Sequence, residues 1–345
     1  MIDSLPDGIL PDHILRDLND QGIITSDTPF TDNQIQPASL DLRIGDYAYR
    51  VRASFLPGHN NKVSTRLTQT DLIMHKLDLR GGAVLETGCV YLVPLQESLH
   101  LPHDLYGLAN PKSSTGRIDV FVRVICDGAT SFDRVAEGYT GSLWVEICPR
   151  TFSILVRPGD RLTQLRLKKG AIPALKRVDL KLDLSHDSLS DVIGYRARRH
   201  APLLDLAKVG SHPPSDWFEP LFARDGRLVL DPGEFYILAS LPGLSIAKNV
   251  AAEMVPTAED LGEFRAHYAG FFDPGFGLGA DSTSGTRGVL EVRGRDVPFV
   301  LEHGQPVARL IYEPLAAAPD HVYGEIGSHY QGQGLKLSKL FEPWV

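Results

Sequence analysis

Cysteine is scarce in this chain: Cys89, Cys126 and Cys148 are its three, scattered and without the CxxC spacing of a zinc or redox site. They read as reduced core residues. No run of about 18 apolar residues occurs, which leaves no candidate for a membrane-spanning helix. The start MIDSLPDGILPDHILRD lacks the basic and apolar stretches of a signal peptide, so a cytoplasmic location is expected. Basic charge is also short, with 35 Lys and Arg against 43 Asp and Glu and a formal net charge of -8. That balance argues against a general nucleic-acid binder, which needs a basic surplus to release phosphate counterions. A small anion needs only one local cluster of donors, so an acidic chain can still bind it in a basic cleft.

What is present fits a folded chain of two domains: 345 residues, 43% apolar and 23% charged. The chain also repeats itself. The segment VLETGCVYLVPLQESLHLP from Val84 has the layout of LVLDPGEFYILASLPGLSI from Leu228. Leu85 pairs with Leu230, Gly88 with Gly233, Tyr91 with Tyr236, Pro111 with Pro256, Glu146 with Glu291, Gly159 with Gly304 and Leu165 with Leu310, all at an offset of 145. Between these anchors the register slips, because DRVAEGYTG from Asp133 looks most like AGFFDPGFG from Ala269, an offset of 136. Compensating insertions near 278–287 would restore the frame.

Each copy is dense in short runs of β-branched and aromatic residues, punctuated by Gly, Pro and Asp, and reads as a mostly antiparallel sandwich or barrel. Helix is scarce, with candidates at Pro11 to Gly22 and Ala251 to Phe264. The expected division is 1–185, a polar and Pro-containing linker at 186–218, and 219–345.

Several patterns fail as sites. GLANPKSS from Gly107 has Pro111 where a P-loop needs Gly, and GFGLGA from Gly275 has no βαβ unit around it. The clump Arg196, Arg198, Arg199 and His200 reads as a solvated face. Two segments stand out instead. Pro111 to Arg117 gathers two cations, three hydroxyls and a Gly within seven residues, the donor types that phosphate oxygens take. Taken alone, it is equally a polar loop with incidental charge. Tyr323 to Gly334, rich in Gly with Tyr and Gln, has the means to close over a planar base, or is a mobile tail.

Together with Gln36 to Gly45 (QPASLDLRIG), these pieces resemble the dCTP deaminase branch of the dUTPase superfamily. That family shows a PSSxDLRLG strand, an (R/K)SSxxR loop, a DPGWSG turn, a VLE strand, an RPG turn and a YQxQ tail. This chain has PASLDLRIG, Lys112 to Arg117 (KSSTGR), Asp273 to Gly277 (DPGFG), Val289-Leu290-Glu291, Arg157-Pro158-Gly159 and Tyr330 to Gln333 (YQGQ). The matches span nearly the whole chain in the right order. The resemblance implies a mainly β fold of two tandem dUTPase-like β-barrel or β-clip domains with few short helices.

It also implies hydrolytic removal of the cytosine C4 amino group, with dUTPase-type pyrophosphate release or mere nucleotide sensing as alternatives. Glu291 is then the catalytic base, and Ser113 and Arg117 orient water and developing charge. Lys112 and Ser114 hold phosphates, the main chain of Ala269 holds the water, and Asp273 bonds the sugar or base. Val289 and Leu290 flank the base on the VLE strand, while Tyr323, His329 and Gln333 line the nucleotide. Mg²⁺ is expected on the triphosphate rather than on protein ligands. No HxE or PCxxC pattern is present for zinc. A homo-oligomer is expected, with the nucleotide as the small-molecule partner and neither nucleic acid nor membrane.

The copies differ in what they keep. Thr257 to Gly262 has lost both cations of KSSTGR, and Ala136-Glu137-Gly138 stands where the second copy has Asp273-Pro274-Gly275. One site is therefore expected where a first-copy face meets a second-copy face. Two departures matter: His329 occupies the family's usual Lys position, and Glu146 survives as either a second base or a relic paired with a strand neighbour.

Overall fold

The computed structural model describes residues 4–185, 192–222, 225–241, 243–256, 264–266, 270–278 and 286–344. Strand dominates, and the α-helices among the described residues are Asp12–Asp20, Val63–Gln69 and Ser113–Gly116. The first copy folds as two six-stranded sheets. One carries Leu105–Pro111, Arg161–Lys169 and Ser39–Arg43; the other carries Val120–Cys126, Thr140–Pro149 and Val90–His100. Inward-facing Leu, Ile and Val from both sheets merge into one core, and each such side chain contributes about 1.5–3 kcal/mol by leaving water. Most described strands of the second copy join a nine-stranded sheet around a smaller core that includes Leu238, Leu290 and Leu310.

The offset of 145 is reproduced in strand register. Glu146 lies opposite Leu92 and Glu291 opposite Ile237; Thr163 pairs with Pro111 and Ala308 with Pro256. The retained residues are those that make the same turn twice. Tyr91 Oη accepts the Glu86 N–H at 3.0 Å, and Tyr236 Oη accepts the Asp231 N–H at 2.9 Å. Gly88 and Gly233, at φ 77° and 73°, provide the left-handed residue inside each turn. Where the register slips, the pairing of Phe271 with Glu253 against that of Arg134 with Leu108 makes the offset 137 rather than 136, so Asp273 replaces Ala136. The compensating insertion falls mainly on 279–285, outside the described residues.

Two expectations are corrected. The helix expected at Ala251 to Phe264 is replaced over its described first part by a strand, Val250–Pro256, paired with Pro306–Pro314 and Gly270–Phe272, while 257–263 lie outside the described residues. Its apolar residues match helical spacing only by accident, and the cross-strand partners that decide the matter lie far away in sequence. The 186–218 stretch is not simply a linker. Val192–Ala197 pairs with Phe235–Leu241 and Phe218–Phe222 in the second sheet, which already begins with Lys176–Asp183. Leu204–Asp205 instead pairs with the first copy's Ile154–Val156. In the basic clump, Arg196 bonds Glu219 and Arg199 bonds Glu234, in keeping with a solvated, ion-paired face.

Candidate active site

A cavity of about 490 Å³ opens between the copies, lined by residues of both. From the first copy come Lys112, Ser113, Ser114 and Arg117; from the second come Asp273, Val289, Glu291, Tyr323, His329 and Gln333. Two expected residues are not among them. Leu290 sits one residue from Glu291 on Val289–Gly294, so strand alternation turns its side chain into the second-copy core. Ala269 lies outside the described residues.

Lys112 closes the Leu105–Pro111 strand as the cap of the short helix Ser113–Gly116, and its carbonyl accepts the N–H groups of Thr115 and Gly116. Its ammonium donates to Asp41 at 2.5 Å, on the PASLDLRIG strand. The expected phosphate ligand is therefore engaged by a carboxylate of the first copy. Arg117 follows the helix and is buried at 3% exposure. Its Nη1 donates to Gln333 Oε1 at 2.9 Å and to the Lys336 carbonyl at 2.8 Å, and its guanidinium stacks 3.9 Å from the Tyr330 ring centroid. The YQGQ tail is thus clamped onto the first copy's loop.

Glu291 is 5% exposed and, among the described residues, joins no ion pair. Burial pushes its carboxyl up to about 7, opposed by the positive charge of Arg117 and by its own N–H. Glu146, its equivalent in the first copy, does not line the cavity. Arg123 donates to it at 3.1 and 2.5 Å, so of the two readings the geometry matches the paired relic. Asp273 is held by Arg166 at 3.1 Å. Arg166 is fully buried, stacks 4.0 Å from the Phe271 ring centroid and donates to the Ala252 carbonyl at 3.1 Å. Burial raises the Asp273 pKa, and Arg166 opposes the shift.

Around Asp273 the DPGFG turn is locked by Gln331, whose Oε1 accepts the Gly277 N–H at 3.0 Å and whose Nε2 donates to the Leu278 carbonyl at 2.8 Å. Gly277 is at φ 77°, and a Cβ there would stand 2.0 Å from the Leu244 carbonyl oxygen. The root of the tail is held by buried Asp12, which accepts the Asp320 N–H at 2.9 Å and contacts His321 Nδ1 at 2.8 Å. Arg166, Asp41, Arg161 and Lys339 carry weight that the motifs did not reveal. Arg166 and Asp41 belong to strands whose residues look structural in sequence, and Lys339 lies beyond the recognisable tail.

The comparisons agree with this geometry. The model of the 2'-deoxycytidine 5'-triphosphate deaminase N-terminal domain matches residues 6–171, and that of its C-terminal domain matches residues 160–341. A crystal structure of 2'-deoxycytidine 5'-triphosphate deaminase from Agrobacterium tumefaciens superposes with a TM-score of 0.86 at 47% identity, covering 90% of this chain and 99% of that one. A dCTP deaminase of Desulfurococcus amylolyticus is 27% identical over 169 residues, 49% of this chain and 86% of its own. A protein of Acidothermus cellulolyticus named "dCTP deaminase, dUMP-forming" is 29% identical over 169 residues, 48% of this chain and 82% of its own. On its sequence, its fold and the residues gathered in its cavity, this chain belongs to the 2'-deoxycytidine 5'-triphosphate deaminase family.

Proposed function

We propose that this chain hydrolyses dCTP to dUTP and ammonia with Glu291 as the general base, supplying dUTP for the formation of dUMP and thymidylate. The observation that carries this reading is that an unpaired buried carboxyl and a hydroxyl- and cation-rich loop, kept by different copies, line one cavity.

A base must be near half-ionised at working pH to take a proton and return it, and burial brings Glu291 to about 7. Glu291 takes a proton from water as the oxygen adds to C4 of the cytosine and delivers it to N3; the proton of the new C4 hydroxyl then passes to the amino nitrogen, and the C4–N bond breaks as C4=O forms and ammonia leaves. Ser113 and Arg117 orient the water and the charge that develops at the base. Arg117 does so from a fixed position, because Gln333 and the Lys336 carbonyl hold its guanidinium. Asp273, aligned by Arg166, bonds the sugar or the base, while Tyr323 and Phe276, with centroids 5.2 Å apart, shape the apolar wall. Ser113 and Ser114, in the first turn of a helix, have N–H groups without intrahelical acceptors and hydroxyls to offer phosphate oxygens.

We infer that Mg²⁺ rides on the triphosphate: of the lining carboxylates, Asp41 and Asp273 are each paired with a cation, and among the described residues no cluster of three metal-ligating side chains lies in the cavity. A zinc-bound water fits poorly: among the described lining residues none is Cys and His329 is the one His.

The test is ammonia release from dCTP by wild type, Glu291→Gln and Glu146→Gln without added zinc. Glu291→Gln is expected to lose at least about 10³-fold in kcat and Glu146→Gln to stay within about threefold. The reverse pattern sinks the assignment. Relatives named dUMP-forming favour one further reading, release of pyrophosphate as well, and pyrophosphate measured in the same assay separates the two products. Binding of dCTP with neither product would mark a sensor.

A further inference from the structure

The Lys and Arg side chains that line the cavity are Lys112, Arg117, Arg161 and Lys339. Three are committed. Lys112 is on Asp41, and Arg117 is on Gln333 and the Lys336 carbonyl. Arg161 faces Asp41 at 3.5 Å and donates to the Asn33 carbonyl at 3.0 Å. Lys339 differs. Its backbone is pinned, with its N–H donating to Tyr330 Oη at 3.1 Å and its carbonyl accepting the Gly210 N–H at 2.9 Å. Yet among the described residues no hydrogen bond or ion pair engages its ammonium.

The surroundings say which ligand completes it. Burial and the charges of Lys112 and Arg161 lower the Lys339 pKa, and Asp41 and Asp160 oppose the shift. A half-buried ammonium beside two other cations is costly unless an anion joins them. The position is also directional. Arg117 is the cation that Glu291 feels, whereas Lys339 feels Lys112 and Arg161. Lys112 and Arg161 meet at Asp41 of the first copy, whereas Glu291 is carried by a second-copy strand, so a nucleotide with its base at Glu291 would turn its phosphates toward the cation group that Lys339 joins. His329, which occupies the family's Lys position, lines the same cavity, and burial and the charges of Lys339, Lys336 and Lys112 hold it toward the neutral form.

We propose that Lys339, from the segment after the YQGQ tail, is the ammonium that holds the terminal phosphate of the substrate, replacing the cation lost at His329. The proposal rests on the deaminase reading and deepens it.

The test uses the full chain as wild type, Lys339→Met and Lys339→Arg. Inorganic tripolyphosphate is titrated by calorimetry, and KM and kcat are measured for dCTP and dCMP. Lys339→Met is expected to weaken tripolyphosphate binding and raise KM for dCTP by about 10- to 100-fold. Its kcat and its KM for dCMP should stay within about threefold, and Lys339→Arg should recover most of the loss. Unchanged tripolyphosphate affinity overturns the proposal, and so does an equal rise in KM for dCTP and dCMP, the mark of a residue that merely packs the tail. If thermal melting shows Lys339→Met misfolded, Lys339→Gln takes its place. Tripolyphosphate binding requires no turnover, so a chain that releases no ammonia defeats the deaminase reading and leaves this result legible.

Discussion

At the scale of single residues, two carboxyls are pushed up to about 7 by burial, Glu291 in the cavity and Asp133 outside it. Their consequences separate. Only ionised Glu291 takes a proton from water, so kcat/KM is expected to rise as pH increases through about 7 and then level off. A pH-rate profile flat from 5 to 8 contradicts this. Stability runs the other way. The folded chain binds more protons than the unfolded one between the ordinary carboxylate values, 3.8 for Asp133 and 4.5 for Glu291, and about 7. Stability therefore falls as pH rises through that window and is flat above it. Glu291→Gln removes one contribution and leaves that of Asp133. Urea unfolding at pH 5 and pH 8 is expected to show a smaller pH-dependent loss in the variant, by on the order of 2 to 3 kcal/mol.

At the scale of elements, the strand that carries Glu291 must be held against the loop that carries Arg117. Arg293, two residues beyond Glu291, bonds Asp119, two residues beyond Arg117, and donates to Thr151 Oγ1 at 2.8 Å. Asp119 is fully buried and sits at φ 54°, a left-handed position that Asp tolerates better than most residues. Removing Arg293 takes a charged donor from that buried carboxylate, to which Thr151 Oγ1 also donates. Arg293→Ala is expected to cost about 3 to 5 kcal/mol in denaturant unfolding. Where the variant still folds, kcat should fall more than KM rises, because the base shifts against the loop while the phosphate contacts remain. Arg293→Lys should restore part of both. Equal stability of Arg293→Ala and wild type would show that the link is incidental.

At the scale of the whole molecule, both halves of the site belong to one chain. Ser113 of the first copy and Glu291 of the second line the same cavity within one chain. Two inactive variants, Ser113→Ala and Glu291→Gln, are therefore expected not to complement each other when co-expressed or mixed after unfolding and refolding. A site shared between chains would instead regain about a quarter of wild-type activity in hybrids, whatever the oligomeric state. Ammonia release by the mixture, compared with each variant alone, decides between them. The homo-oligomer expected from the resemblance remains a proposal, and sedimentation of the intact chain tests it.

The sequence by itself determined the duplication, the β class and the split of motifs, because these depend on local patterns: turn residues at Gly88 and Gly233, alternating apolar runs, and KSSTGR in one copy against DPG and YQGQ in the other. It reached all but two of the cavity residues it named, missing only that Leu290 turns away from the cavity into the second-copy core, with Ala269 outside the described residues. Only the tertiary structure distinguished the surroundings of Glu291 and Glu146, two glutamates in matching strand positions. One is paired with Arg123 and the other faces a cavity built from the opposite copy. It alone turned Val250–Pro256 into strand, tied Lys112 to Asp41 and brought Lys339 to the cavity wall. The physical reason is the same each time. A charge's partner or a strand's neighbour lies well outside any local window, 23 positions away for Glu146 and Arg123 and 71 for Lys112 and Asp41, and no local pattern records which of the intervening residues the fold will bring together.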